Sequence, residues 1–184
     1  MITKNFFDNS IKLISNKRFI DNRGFFSELY NKNVFKKNNI NLNFIQDNFS
    51  FTSNKGVFRG LHFQIPPHEQ IKYVKVLSGE IYDIVVDLRK KSKSYGKYKA
   101  FKLDAKLWNS LYIDIGFAHG FLTLSKNVML YYKVSSHYSA NHDCTIKWDD
   151  PILNISLPID KNKIITSEKD SIGIDFKSFK SPFK

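Results

Sequence analysis

The sequence predicts an all-β fold, a double-sheet jelly roll with a few short helices, and three observations carry that prediction. The chain holds seventeen Phe and nine Tyr, with aromatics at 15% of all residues, and such side chains pack best on pleated, half-buried surfaces. Short strand-like runs recur between turn signals, which is the pattern of a sandwich or barrel. Only one stretch, around Asn33–Lys37, reads as a convincing helix.

Each element follows from its local chemistry. The run Gly56–Gln64 reads as a strand, and Pro66-Pro67 breaks the chain after it. Lys72–Leu77 and Glu80–Asp87 read as two strands joined at Ser78-Gly79 in a tight hairpin. Tyr98–Leu103, Asn109–Ile113, Phe121–Leu124 and Val128–Ser135 supply four more candidates. No repeat, low-complexity tract or Gly/Ser linker divides the 184 residues, a length that suits a single domain. A jelly roll of this kind can hold a ligand pocket at one mouth.

Composition limits the possible roles. No apolar run approaches the ~20 residues needed to cross a bilayer. The start, Met1-Ile2-Thr3-Lys4-Asn5, has no apolar stretch followed by a cleavage site, so no export signal is read. A single cysteine, Cys144, cannot form an internal disulfide, which fits a reducing cytoplasm. The net charge of +12 invites a nucleic-acid reading, but only four of the 29 basic residues are arginines. No basic block is longer than Arg89-Lys90-Lys91, and Arg is the residue suited to bidentate phosphate and base recognition. A small anionic substrate is the expected partner, rather than nucleic acid or membrane.

Among residues able to do chemistry, the segment Arg59-Gly60-Leu61-His62-Phe63-Gln64 stands out. Strand alternation sends His62 and Gln64 to one face, with Leu61 and Phe63 on the other. Lys72 opens the next strand, so a histidine and a lysine from one barrel can converge on a small molecule. His119 and the pair Tyr131-Tyr132 add candidates, the two tyrosines pointing to opposite faces. Asp83 lies on the same side as Ile81 and Val85, the position of a buried carboxylate. Asp170 sits in a polar stretch, where simple exposure is the alternative to a role in the site, and His68 reads as a surface residue.

Nine segments then fall in one recognisable order. They are Asp21–Glu28, Gln46–Asn48, Gly56–Gln64, Gln70–Lys72, Gly79–Arg89, Gly116–Phe121, Tyr132-Lys133, Trp148–Pro151 and Ser167–Asp170. Across roughly residues 20–170 the chain closely resembles the dTDP-4-dehydrorhamnose 3,5-epimerase family of cupin-type enzymes. The resemblance implies inversion of the carbons beside the ketone of a nucleotide-linked 4-keto-6-deoxy sugar, in surface-polysaccharide sugar synthesis, with no cofactor or metal. It implies His62 as base, Asp170 as the carboxylate orienting it, Tyr132 as acid and Lys72 as the donor holding the enolate. Arg59 matches a diphosphate contact, Gln46 and Asn48 match pocket amides, and Tyr138 matches an aromatic that stacks on the base. His119 would support the pocket. Arg23, Phe26 and Glu28 would reach across a homodimer, with an N-terminal segment of about residues 1–30 exchanged between partners.

Other readings stay open at this level. Asp114-Ile115 and Leu157-Pro158 replace the family's Pro-Glu and Trp-Pro near substrate loops. A GDP-linked 6-deoxy-4-keto-heptose, or inversion at C3 alone, is therefore an alternative. A metal-dependent cupin would need a His-x-His pair, and Gln64 takes the second position. A cupin that binds a sugar nucleotide without turning it over is disfavoured by the joint presence of His62, Lys72, Tyr132 and Asp170.

Overall fold

A computed structural model describes residues 2–184, in which thirteen strands and two short α-helices alternate with loops. The first strands are β1 (Ile2–Phe6), β2 (Ile11–Ser15), β3 (Phe19–Asp21) and β4 (Gly24–Phe26), followed by α1 (Lys32–Lys37) and β5 (Gln46–Thr52). Then come β6 (Phe58–Gln64), β7 (Lys72–Ser78), β8 (Glu80–Asp87), β9 (Tyr98–Asp104) and β10 (Asn109–Ile113). The last elements are β11 (Phe117–Thr123), β12 (Val128–Val134), β13 (Asp143–Thr145) and α2 (Glu168–Ser171).

These strands form two facing antiparallel sheets, a double-sheet jelly roll. One sheet runs β1-β2-β10-β7-β12-β5 and the other β13-β6-β11-β8-β9, while β3 and β4 form a separate hairpin. The alternation on β8 shows why two layers result. Ile81 and Val85 join a core between the sheets with Val74, Val76, Leu111 and Leu130. Ile84 and Val86 face the other way, into a second core beneath the C-terminal segment with Trp148 and Phe183. A strand buried on both faces reads as a nearly continuous apolar run, which Glu80–Asp87 is. A third cluster covers the outer face of the larger sheet, where Phe35 of α1 stacks edge-on against Tyr73 at 5.0 Å. The helix is set by its Asn31 cap, whose side chain accepts from the N–H groups of Asn33 and Val34.

Two corrections to the sequence reading bear on the site. Ser78-Gly79 does not close a hairpin: β7 belongs to the six-stranded sheet and β8 to the five-stranded one. Gly79, at φ +77°, lets the chain pass from one layer to the other where a Cβ would lie 2.5 Å from Ser125 Oγ. Both flanking runs keep their apolar faces inward, which two packed layers satisfy as well as a hairpin does. The second correction is at β11, which begins at Phe117 and not at Phe121, so that His119 lies mid-strand opposite His62.

Candidate active site

At one end of the interior the two sheets part around a cavity of about 280 Å³. The five-stranded sheet contributes Arg59 and His62 from β6 and His119 and Phe121 from β11. The six-stranded sheet contributes Ser50 from β5, Lys72 from β7, and Leu130 and Tyr132 from β12. Ser167, Lys169 and Asp170, at α2, complete the lining.

Simple alternation would send Arg59 and His62 to opposite faces of β6. Both line the cavity because the pairing with β11 slips between His119 and Phe121, and one extra residue in a bulge reverses the facing of the residues beyond it. Gly60 makes the slip possible: it sits at φ +122°, and a Cβ there would lie 2.6 Å from Gly120 Cα. The facing glycines Gly60 and Gly120 were the signal for this bulge.

His62 Nε2 is 2.6 Å from Asp170 Oδ1, which leaves Nδ1 as the ring nitrogen free of that bond. The second carboxylate oxygen of Asp170 accepts the Gly60 N–H at 3.2 Å. Asp170 is 3% exposed, which removes the alternative of a simply solvated residue. The short helix α2, capped by Ser167, turns it inward. Burial alone would raise its carboxyl, but the His62 ring, the Gly60 N–H and Ser167 outweigh that and hold it below the usual carboxylate range.

Lys72 donates to the His62 carbonyl at 3.3 Å. Burial lowers its ammonium to about 8, against the opposing pull of Asp143 and Asp83, so the group stays largely protonated at neutral pH. Burial also raises the Tyr132 hydroxyl, which the nearby Arg59 charge only partly offsets; Tyr132 is therefore a neutral O–H donor. Tyr131 points outward, its hydroxyl donating to Asp47 at 3.3 Å.

Behind this group, His119 Nε2 lies 3.0 Å from both carboxylate oxygens of Asp83. Asp83 is fully buried, which resolves its role as the partner of His119. Gln64 does not enter the cavity. Its amide bonds the carbonyls of His68 and His137 and accepts the Ser139 N–H at 2.8 Å, bracing the loop that carries Tyr138. His68 is not free on the surface either, since its ring packs on that of His142 at 4.4 Å. Among the described residues, no three His, Cys, Asp or Glu side chains are placed to hold a metal ion.

Gln46, Asn48 and Tyr138 line an adjoining groove of about 330 Å³ that shares Tyr132 with the cavity. Gln46 donates to Asn48 at 2.8 Å and accepts the Tyr138 N–H. Sequence reasoning missed several residues here. Ser50 follows Asn48 at strand spacing, so alternation along β5 could have found it. Lys169 adjoins Asp170 and pairs with Asp143, which also accepts from the Tyr138 hydroxyl at 3.2 Å; nothing local marked Asp143. Arg23, Phe26 and Glu28 lie away from the cavity of their own chain. Arg23 pairs with Asp21 in solvent, Phe26 is 67% exposed, and Glu28 borders a smaller recess with Asn16 and Phe35.

The model of one family, described as dTDP-4-dehydrorhamnose 3,5-epimerase, matches residues 9–178. A dTDP-4-dehydrorhamnose 3,5-epimerase from Sinorhizobium fredii is 42% identical over 161 residues, 88% of this chain and 82% of the relative. Among solved structures, the dTDP-4-dehydrorhamnose 3,5-epimerase of Bacillus anthracis, with TDP and PPi bound, superposes with a TM-score of 0.90. It is 39% identical, covering 94% of this chain and 98% of that one. The dTDP-6-deoxy-D-glucose-3,5-epimerase of Legionella pneumophila, in complex with dTDP-4-keto-L-rhamnose, gives 0.86 at 35% identity over 92% and 89% of the two chains.

Proposed function

The chain belongs to the dTDP-4-dehydrorhamnose 3,5-epimerase family, and we propose that it inverts C3 and C5 of a dTDP-linked 4-keto-6-deoxy sugar. The observation that carries this reading is His62 on one sheet, bonded to Asp170 of α2, facing Tyr132 on the other sheet across one cavity that Lys72 also enters. Inversion needs a base and an acid on opposite faces of a carbon, and opposing sheets supply opposing faces.

The C–H bonds at C3 and C5 are acidic because their electron pair can move onto the C4 oxygen. His62 takes the C3 proton through Nδ1 and becomes an imidazolium, which the Asp170 carboxylate stabilises and keeps oriented. The electron pair of the broken bond forms the C3=C4 bond, and the C4 oxygen becomes an enolate. Lys72 holds that oxygen with a fixed positive charge in a partly dry site, where one such donor is worth about 3–4 kcal/mol. Tyr132 then gives its hydroxyl proton to the other face of C3, the C4 ketone re-forms, and the phenolate is reprotonated by solvent. His62 releases its proton, and the same cycle at C5 completes the double inversion.

Arg59 is suited to the diphosphate as a bidentate donor, and Gln46, Asn48 and Tyr138 give the neighbouring groove an amide edge and an aromatic face for the nucleoside. His119, held by Asp83, supports the cavity wall near the sugar. In a homodimer, Arg23, Phe26 and Glu28 would reach the partner's nucleotide, with the segment of about residues 1–30 exchanged. Surface-polysaccharide sugar synthesis in the cytoplasm is the proposed setting. The free Cys144 accords with a reducing compartment.

Proton NMR in deuterium oxide tests the substrate. With dTDP-4-keto-6-deoxyglucose, the C3 and C5 signals should both disappear as the product forms. Loss at C3 alone would reduce the enzyme to a single inversion. Turnover of a GDP-linked 4-keto heptose instead would overturn the assignment of the nucleotide and sugar.

A further inference from the structure

The β3–β4 hairpin pairs with neither main sheet, and a two-stranded ribbon is marginally stable by itself. Within its own chain, the hairpin is attached to the body through side chains. At the base, Asn16 donates to the Glu28 carbonyl at 3.4 Å and the Tyr73 hydroxyl to the Leu29 carbonyl at 2.8 Å. Nearer the tip, the Phe25 ring stands edge-on to Trp108 at 4.8 Å and 78°, with Arg18 stacked over Phe25 at 5.6 Å.

Both attachments meet at one residue. Lys75 projects from β7 on the opposite face from Lys72 and is fully buried. Its ammonium donates to Asn16 Oδ1 at 3.4 Å and to the Asn109 carbonyl at 3.3 Å, and it lies 4.1 Å from the centre of the Trp108 ring. None of these partners is a carboxylate. An unpaired ammonium is costly to bury; burial, with the like charge of Arg18 second, lowers this one to about 7. Trp108 shows a matching expense. It sits at φ +55°, an uncommon conformation for a bulky side chain, and its buried indole N–H has no hydrogen-bond partner among the described residues. The ring is thus held by its faces and edges, between Lys75 and Phe25.

We propose that Lys75 is a positioning residue: through Asn16 and the Trp108–Phe25 stack it sets the β3–β4 hairpin, and thereby the presentation of Arg23, Phe26 and Glu28 to substrate. An apolar residue would fill this space more cheaply, but it could not bond Asn16 and hold the ring by a cation–π contact at once. The second half of the proposal rests on the reading that these hairpin residues bind the nucleotide of a partner's substrate.

Two variants test it in the full-length enzyme. Lys75→Met removes the ammonium, and Phe25→Leu breaks the stack at a half-exposed position where folding is not at stake. In both, hydrogen exchange across residues 17–29 should rise, and KM for the nucleotide sugar should rise several-fold with kcat within about twofold of the parent. Lys75→Arg, which keeps the cation, should restore both. Unchanged exchange in Phe25→Leu, or a fall in kcat at constant KM, would overturn the proposal. Raised exchange with unchanged KM would leave Lys75 as the hairpin's anchor and overturn the assignment of that hairpin to substrate binding.

Discussion

His62 and Asp170 stand 108 residues apart in the chain and 2.6 Å apart in space. The contact joins β6, next to the edge of its sheet, to a four-residue helix near the C-terminus. Asp170 spends its other oxygen on the Gly60 N–H, two residues before His62, so one carboxylate fixes both the imidazole and the bulge that presents it.

Asp170→Asn keeps the shape and removes the charge. The variant should fold, and kcat should fall by about 10²–10⁴-fold with a smaller change in KM, because the imidazolium loses its counter-charge. Stability should respond to acid as well. A carboxyl held below its ordinary value stabilises the fold above the usual carboxylate range and loses that contribution as pH falls through the folded value. Thermal unfolding between pH 6 and about 3 should therefore fall more steeply in the parent than in Asp170→Asn.

Lys72 gives two opposite pH trends. Its ammonium titrates at about 8 in the fold against an ordinary 10.5. Protonated Lys72 is the form that holds the enolate, so kcat/KM should decline as pH rises through about 8. Over the same window, from about 8 to 10.5, the unfolded chain binds the proton that the folded one has released, so the cost of burying this charge is relieved and its contribution to stability rises with pH. Lys72→Met should lower kcat by about 10²–10³-fold. It should also remove the decline in activity near pH 8 and this part of the rise in melting temperature.

The tyrosine pair separates abstraction from reprotonation. Tyr132→Phe should still exchange substrate hydrogen with solvent, while inversion slows by about 10²-fold or more. Tyr131→Phe, whose ring points outward to Asp47, should leave the product ratio unchanged. Equal effects of the two variants on that ratio would place the acid elsewhere.

Gly60→Ala tests the bulge. The added methyl would meet Gly120 Cα at 2.6 Å and the His119 carbonyl at 2.7 Å, at a φ of +122°. Destabilisation of about 1–3 kcal/mol is expected, seen as a lower melting temperature, together with lost activity as Arg59 and His62 cease to share a face. A variant with parental stability and rate would show that the bulge does not place them.

Much of this architecture is legible in the residues, for reasons that also explain why the remainder is not. The runs around Lys72, Glu80, Asn109 and Val128 announce strands because both faces of each are apolar or aromatic. Which sheet each strand joins is a long-range matter, and the crossing at Gly79 looks locally like a hairpin. The polar neighbours of Asp170 leave exposure open as an alternative; only the turn of α2 against β6 buries it. Asp83 shows its facing through alternation, whereas its partner His119 is 36 residues away. Strands β1 to β4 are short, β5 carries the polar Gln46, Asn48 and Ser50 at alternate positions, and β13 is only three residues. The resemblance to a known family named His62, Lys72, Tyr132 and Asp170 together, and the fold brings all four to one cavity.

The role of His62 as base is tested most directly by deuterium incorporation at C3 and C5 of a dTDP-linked 4-keto-6-deoxy sugar. The parent enzyme and His62→Ala would be compared, each shown to be folded by circular dichroism. Incorporation at both carbons is expected with the parent, and none above the uncatalysed rate with the variant. Incorporation by His62→Ala at the parental rate would contradict the assignment of His62 as the base.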